Sequence, residues 1–396
     1  MDYFESDSNL SFHELLVGDE AYIDKTGRIA ELYRDHDTFE LLVRPLGFGK
    51  TVTLETIYHI FTNQDEELLE KLEYKNSDVI FPEHLVIKID FSKNLIKSAK
   101  DLETLLFTNF RNKSFEFNLD HRVNRSLSIY HQTVDFIKAF AQKSPTQKIV
   151  ILIDNYDYPI LNNLFSNYLN EINNSLMLFY KALEDCETLI DWCLITGETK
   201  FFFCYENNEG LNYVNDVSYS ERSTTLCGFT PGEMKKYYQD FIQDQADILE
   251  QTVDVFLGNL NDWYGNFRFT SHNIKVMRPS SIKSYLSQRD QNQFKVYYPY
   301  DHVSKFLPRL LKKYGKNHER FLTPNDSGYN FCDYNSIDNI KMFALLSQLG
   351  FYTFTHIDMQ ISEKMQKYAY FSNYTNKEMR EIYAICLNES QTIKDF

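Results

Sequence analysis

The most constraining stretch of this chain is short. An apolar run from Phe39 to Val43 passes directly into Arg44-Pro45-Leu46-Gly47-Phe48-Gly49-Lys50-Thr51, and helical periodicity follows from Val52 to Phe61. A strand that breaks into a glycine-bearing turn and resumes as a helix gathers unpaired backbone N–H groups and the positive end of a helix dipole at one point. That environment suits phosphate. Gly47 and Gly49 allow the tight curl, Lys50 is placed for the β- and γ-phosphates, and the Thr51 hydroxyl is of the kind that ligates magnesium. The segment departs from the Walker A pattern G-x-x-x-x-G-K-[ST], because Arg44 stands where the first glycine belongs. A bare G-K-[ST] triplet arises by chance in roughly one chain in five of this length at ordinary residue usage, so the surroundings must decide.

The surroundings agree with the loop. Ile149-Val150-Ile151-Leu152-Ile153-Asp154 is an apolar strand ending in a carboxylate, the layout of a Walker B motif that holds magnesium through water. The plain alternative for Asp154 is a turn or helix-cap residue. Two further runs, Leu85 to Phe91 and Leu189 to Ile195, fill both parities with β-branched and aromatic residues, as buried parallel strands do. Helix-period stretches at Leu102 to Phe110, Leu127 to Phe140 and Ile172 to Leu183 lie between them. The alternation predicts an α/β fold, a P-loop NTPase core of parallel strands with helices on both faces. Pro231-Gly232-Glu233 opens a mainly helical region that runs through Leu311. Asn325-Asp326-Ser327-Gly328 is a turn-rich break, followed by an amphipathic helix at Ile340 to Leu349 and strand-like runs at Phe351 to Thr355 and Tyr368 to Phe371. The expected division is a nucleotide-binding domain over 1–230, a helical lid-like domain over 231–325 and a small α+β segment over 326–396.

Charge and composition narrow the function classes. A net charge of −15 repels a phosphate backbone in bulk, so a broad nucleic-acid surface is disfavoured, although a local basic groove is compatible with it. No window approaches the roughly 18 apolar residues of a membrane span. The acidic start Met1-Asp2-Tyr3-Phe4-Glu5 lacks the layout of a cleaved secretory signal, so a cytoplasmic protein is expected, or one exported by a route without such a signal. Cysteines at 186, 193, 204, 227, 332 and 386 form no C-x-x-C pair, and no H-E-x-x-H occurs, which argues against a transition-metal site and for scattered reduced thiols.

Several segments, taken in order, carry a family likeness. Tyr22-Ile23-Asp24-Lys25-Thr26 is similar to a Y-V-D-K-T opening, and Arg44 to Thr51 to an R-P-R-R-F-G-K-S loop. Ile89-Asp90-Phe91-Ser92, Ile153-Asp154-Asn155-Tyr156-Asp157-Tyr158-Pro159, Ile195-Thr196-Gly197-Glu198-Thr199-Lys200, Thr225-Leu226-Cys227-Gly228-Phe229-Thr230 and Trp263-Tyr264-Gly265-Asn266-Phe267-Arg268-Phe269 follow at matching spacings. Together they resemble the AAA-ATPase-like proteins of bacteria and archaea, many of which carry a C-terminal PD-(D/E)XK-type nuclease domain. The resemblance implies that Arg44, Pro45, Gly47, Phe48, Gly49, Lys50 and Thr51 cradle ATP, and that Thr51 and Asp154 hold Mg2+. It also implies that Asp154 and Thr196 work at the γ-phosphate. The family reads I-D-E-Y-D-K-P, and Asn155 replaces its glutamate. An amide cannot accept a proton from water, so hydrolysis is expected to be slow or absent unless Asp157 or another carboxylate substitutes. Leu345 to Phe351 and Phe371 to Glu378 match the stretch that leads into the nuclease. The E-x-K triplets at Glu198 and Glu233 fall inside the ATPase-like region. The nuclease is therefore expected to be missing.

Other features have plainer readings. Arg222, Arg268 and Arg278 are arginine-finger candidates or ordinary ion-pair residues, and Trp263-Tyr264 is a base-stacking or a packing pair. Lys305, Arg309, Lys312, Lys313 and Lys316 form either an acidic-partner face or the wet side of a helix. Asp24-Lys25-Thr26 orders the N-terminal segment near the nucleotide or caps a helix. The leading expectation is an ATP-binding, magnesium-dependent switch or scaffold for a protein partner, with weak hydrolase activity. The alternatives are a dead pseudo-ATPase interaction protein, conceivably a bacterial effector, a phosphoryl or nucleotidyl transferase, and a nuclease-linked DNA-processing ATPase.

Overall fold

The computed structural model describes residues 22–63, 66–119, 124–201, 213–288, 293–314, 334–362 and 365–393. The predicted strands form as β1 (Phe39–Val43), β2 (Leu85–Asp90), β3 (Ile149–Asp154) and β4 (Ile190–Gly197), joined by a two-residue β5 (Asn215–Asp216). All pair in parallel, in the order β2-β3-β4-β1-β5. Every residue of β1 and β3 is buried, which requires cover on both faces of the sheet and matches their predominantly apolar runs, with the buried Glu40 of β1 satisfied by Trp192 and Arg222. β5 is too short to leave a periodic signal. Val217 N donates to Leu41 O at 3.0 Å, and Val43 N donates to Ser218 Oγ at 2.9 Å, so a side chain completes the edge.

The helices around the sheet are α1 (Thr26–Arg34), α2 (Lys50–Thr62), α3 (Ala99–Glu116), α4 (Ile129–Ala141) and α5 (Leu169–Asp185). Helix α4 starts later than its apolar period suggests because the Ser128 hydroxyl caps it, accepting from His131 N, and leaves Leu127 outside. Phe136 stacks between Phe110 at 4.5 Å and Phe140 at 5.3 Å and joins α4 to α3. From β1 the chain crosses to β2 at the far edge and returns through β3 to β4, which lies between β3 and β1. With right-handed crossovers, that reversal brings the C-terminal ends of β1, β3 and β4 together beside a crevice.

A second apolar cluster gathers Phe229, Met234, Ile242, Phe256, Leu260, Tyr264, Met277, Ile282 and Tyr285 with Ile23 from the N-terminal segment. It is built by α6 (Pro231–Tyr237), α7 (Gln239–Ile248), α8 (Val253–Tyr264) and α9 (Pro279–Leu286). Thr230 and Glu233 form a reciprocal capping box where Pro231 opens this region. The later helices α10 (Leu307–Tyr314), α11 (Met342–Gln348) and α12 (Lys377–Thr392) return to the sheet's own core through Leu310, Leu311, Leu345, Ile382, Tyr383 and Cys386.

Before α12, β6 (Tyr352–Ser362) and β7 (Met365–Tyr374) form an antiparallel hairpin longer than the two short runs expected. Thr355, His356, Asp358 and Gln360 interrupt the apolar residues there and hide its extent from a hydropathy reading. On α10, Leu307, Leu310 and Leu311 are buried while Arg309 and Lys313 are exposed, as the wet side of an amphipathic helix would be; Lys305, exposed as well, precedes the helix. Lys316, the break at Asn325 to Gly328, Cys204 and Cys332 lie outside the described residues. The other four cysteines are buried and free. No described helix is long and apolar enough to cross a membrane.

Because Phe136 is fully buried between two rings, Phe136→Ala should cost about 3–4 kcal/mol and lower the urea midpoint without moving β1 or the following loop. Equilibrium denaturation monitored by circular dichroism checks the loss.

Candidate functional site

The loop after β1 is held from below and from one side. The Arg44 guanidinium is buried, donating to the carbonyls of Val43 (2.8 Å), Ser218 (2.6 Å) and Ser223 (2.7 Å), and lies 4.1 Å above the Phe269 ring. Phe48 is packed edge-on against Phe267 and Phe269, at 4.7 and 5.5 Å between centroids. Both side chains thus point into the protein, so Arg44 and Phe48 fix the loop's shape. From the side, Arg278 Nε donates to Leu46 O at 2.8 Å and Ser280 N donates to Gly47 O at 3.1 Å. A Cβ on Gly47 would lie 2.1 Å from Ser280 Oγ, so only glycine fits under α9. Gly49 has a different task. It adopts the left-handed conformation (φ 86°) as the N-cap of α2, and a Cβ there would meet open space. The first N–H groups of α2 therefore open onto the space beside Gly49, a hollow with room for a ligand's oxygens.

The polar groups around that hollow come from four segments. Lys50 Nζ donates to the carbonyls of Arg44 (2.9 Å) and Pro45 (3.1 Å). Thr51 Oγ1 donates to Asp154 Oδ2 at 2.6 Å, and Thr196 Oγ1, at the end of β4, donates to Asp154 Oδ1 at 2.7 Å. Asp154 is thus clasped by two hydroxyls from α2 and β4. Burial pushes its carboxyl above the ordinary carboxylate range; the two hydroxyl hydrogen bonds oppose the shift, and neighbouring Asp90 adds to it. Asn155, in a left-handed conformation (φ 54°), donates its side-chain amide to Asp90 Oδ1 (3.0 Å) and Ser92 Oγ (3.1 Å). The amide is oriented as a donor between β2 and β3.

Asp157 faces a different neighbourhood. Its carboxylate accepts from Glu198 N (3.2 Å), Thr199 N (2.7 Å) and the Thr199 hydroxyl, which makes it the anchor of the turn after β4. The Tyr156 hydroxyl pins the same turn, donating to Thr199 O and accepting from Phe201 N. A Cβ on Gly197 would strike the Tyr156 ring at 2.4 Å, so this turn closes on glycine. Glu198 emerges beside the loop, since Arg44 N donates to Gly197 O at 3.0 Å. Its carboxylate lies 2.8 Å from His302 Nε2. Burial favours its neutral form, but His302, aided by Lys50 and Arg278, outweighs burial and holds the carboxyl below its ordinary value.

Thus the structure brings Lys50, Thr51, Asp154 and Thr196 around one hollow, with Gly47 and Gly49 shaping it and the Pro45 carbonyl touching Lys50. Arg44 and Phe48 support it from within, and Asp157 supports the adjoining turn. The three arginine-finger candidates are occupied inside the chain. Arg222 bonds to Leu32 O, Asp35 O and Glu40; Arg268 bonds to Thr270 O, His272 O and Thr355 O; Arg278 bonds to Leu46 O, Ser281 and Glu378. Trp263 stacks on Phe294 and Tyr264 sits in the second core, which is packing. Asp24 caps α1 through Thr26, while Lys25 pairs with Glu233 at 2.6 Å and ties the N-terminal segment to α6.

Sequence reasoning missed the His302–Glu198 pair and the Arg278–Glu378 bridge. Their partners are 104 and 100 residues apart, and in the sequence Glu198 stood out only in an E-x-K triplet and Arg278 only as an arginine-finger candidate or ion-pair residue.

Burial, with Glu198 adding, pushes Asp157 up to about 6 from an unfolded value of 3.8. Between those values the folded carboxyl keeps its proton while the unfolded one loses it, so rising pH costs stability across this window. Asp157→Asn removes the titration. The stability advantage of the wild type over this variant should narrow between about pH 4 and about pH 6 and stay level above it, as urea denaturation at several pH values would show.

Comparison with known proteins agrees with this geometry. Residues 9–204 match the family model described as Predicted AAA-ATPase. The chain is also similar to the "Uncharacterized protein in vnfD 5'region" of Azotobacter chroococcum mcd 1, 25% identical over 305 residues. That match covers 76% of this chain and 54% of the relative, so the chain spans about half the length of the curated relative it matches. With its glycine-capped loop, its parallel sheet and this match, the chain belongs to the AAA-ATPase-like family.

Proposed function

We propose that the chain binds ATP with magnesium in the hollow at Gly47 to Thr51, hydrolyses it slowly, and serves as a nucleotide-dependent switch or scaffold for a protein partner. The observation that carries this reading is the 2.6 Å contact between Thr51 and Asp154 at the mouth of a helix capped by left-handed Gly49. The donor set fits the ligands. Free helix N–H groups and an ammonium suit phosphate oxygens, and a hydroxyl beside a carboxylate suits a hard divalent cation. Thr51 and Asp154 would hold the ion, which when bound neutralises charge on the β- and γ-phosphates. Lys50, now on two loop carbonyls, exchanges them for phosphate. Thr196 keeps Asp154 oriented and presents its hydroxyl from β4.

Slow turnover is supported by Asn155, whose amide donates to Asp90 and Ser92 and has no carboxylate with which to take a proton from water. A switching role is supported by the connections of the loop. Leu46 and Gly47 are held by Arg278 and Ser280, and Arg278 pairs with Glu378, whose other oxygen accepts from Tyr297 N and Tyr298 N. A change in loop shape on phosphate binding would thus be felt at α9 and at the start of α12. The division near residue 230 belongs to this reading, with the second apolar cluster acting as a lid, and a cytoplasmic setting suits the acidic charge and the four buried free thiols.

Isothermal titration of the chain with ATP and magnesium tests the proposal. The wild type should bind, and Lys50→Ala should weaken binding about tenfold or more, the loss of a charged hydrogen-bonding partner. Equal binding by both proteins, or binding by neither, contradicts it.

A further inference from the structure

Glu198 is a buried carboxylate to which the sequence assigns no role in the phosphate site. It follows β4, the strand between those carrying the loop and Asp154, and its own backbone is fixed on both sides. Gly197 O accepts from Arg44 N, and Glu198 N donates to Asp157. Lys50 Nζ sits on the carbonyls of Arg44 and Pro45, near enough to the Glu198 carboxylate for the two charges to attract one another. Only 5% of Glu198 is exposed, yet among the described residues its carboxylate has one close side-chain partner, His302, from the short helix Tyr300–Ser304, at 2.8 Å. A buried charge needs pairing, and one imidazole satisfies one of two carboxylate oxygens.

Of the carboxylates near the loop, the others are committed. Asp154 is clasped by Thr51 and Thr196, Asp157 by the turn after β4, and Asp90 by Asn155 and Ser92. We infer that Glu198 takes the place of the glutamate absent at position 155: its carboxylate polarises the attacking water, and His302 is the positioning residue that keeps that carboxylate ionised and aimed. This rests on the ATP-binding reading and adds the residue that performs the slow hydrolysis. The water oxygen forms a bond to the γ-phosphorus as the bond from that phosphorus to the β,γ-bridging oxygen breaks. The bridging electron pair leaves with ADP, and the water proton passes to Glu198, so that ADP and inorganic phosphate are the products.

The experiment pairs ATP·Mg2+ and ADP·Mg2+ calorimetry with single-turnover phosphate release on the full chain, comparing wild type, Glu198→Gln and His302→Gln. Glu198→Gln should bind ATP about fivefold more tightly than wild type, with ADP affinity unchanged, because a negative charge near the γ-phosphate is gone. Its phosphate release should fall about 100-fold or more. His302→Gln should lower kcat with KM unchanged. Retained nucleotide binding certifies that each variant is folded. If wild type and Glu198→Gln bind ATP equally and release phosphate at the same rate, the assignment of Glu198 is overturned while the binding site stands. Wild-type ATP binding with no phosphate release overturns it too. Absence of wild-type binding overturns the underlying ATP-binding reading, and the Glu198 assignment with it.

Discussion

Asp154 is the constraint around which the site is organised. One oxygen accepts from Thr51 at the head of α2 and the other from Thr196 at the end of β4, so a single buried carboxylate joins three segments scattered along the chain. The arrangement depends on β4 lying between β1 and β3, with Ile153 opposite Ile195 and Val43 opposite Gly197. A one-residue slip in either register would turn Thr196 to the other face of the sheet and leave Asp154 buried with half its partners. The buried Glu40 carboxylate of β1, which accepts from Trp192 Nε1 of β4 at 3.0 Å, ties the register of those two strands.

The loop takes its shape from residues that point into the protein, with Lys50 adding bonds to the Arg44 and Pro45 carbonyls. Arg44 and Phe48 hold it from below through Ser218, Ser223, Phe267 and Phe269, and α9 holds it from the side. This explains why a chain with arginine at the first Walker A position can still form the turn. The guanidinium spans three carbonyls and lies over an aromatic face, which supplies rigidity in place of a glycine's freedom. Gly47 and Gly49 remain necessary for separate reasons, one for contact with Ser280 and the other for its left-handed backbone.

What the sequence made legible follows from range. The four main strands, α2, and the Gly49-Lys50-Thr51 turn are local patterns, and each formed where periodicity or turn chemistry indicated. The apolar strand ending in a carboxylate pointed to Asp154 as a neighbour of the loop, and family likeness added Thr196. The remainder depends on contacts that no local window contains. The two-residue β5 is defined by its pairing with β1, the hairpin β6–β7 by cross-strand bonds between polar stretches, and the side chains of His302 and Glu378 by partners about a hundred residues away. Asp157 and Arg44 show the same limit in reverse. Their identity signalled chemistry, while the structure gives their side chains fixed work in a turn and beneath the loop.

Asn155 and Glu198 mark the two neighbouring strand ends on which the proposed hydrolysis turns: an amide after β3 and a buried carboxylate after β4. A crystal structure of the chain with magnesium and a non-hydrolysable ATP analogue addresses the shared premise most directly. The account predicts phosphates within hydrogen-bonding reach of the Gly47 to Thr51 backbone, Lys50 released from the Arg44 and Pro45 carbonyls, and the ion inserted where Thr51 now meets Asp154. A nucleotide bound elsewhere, or one bound here with the Lys50 and Thr51 contacts unchanged, would contradict it.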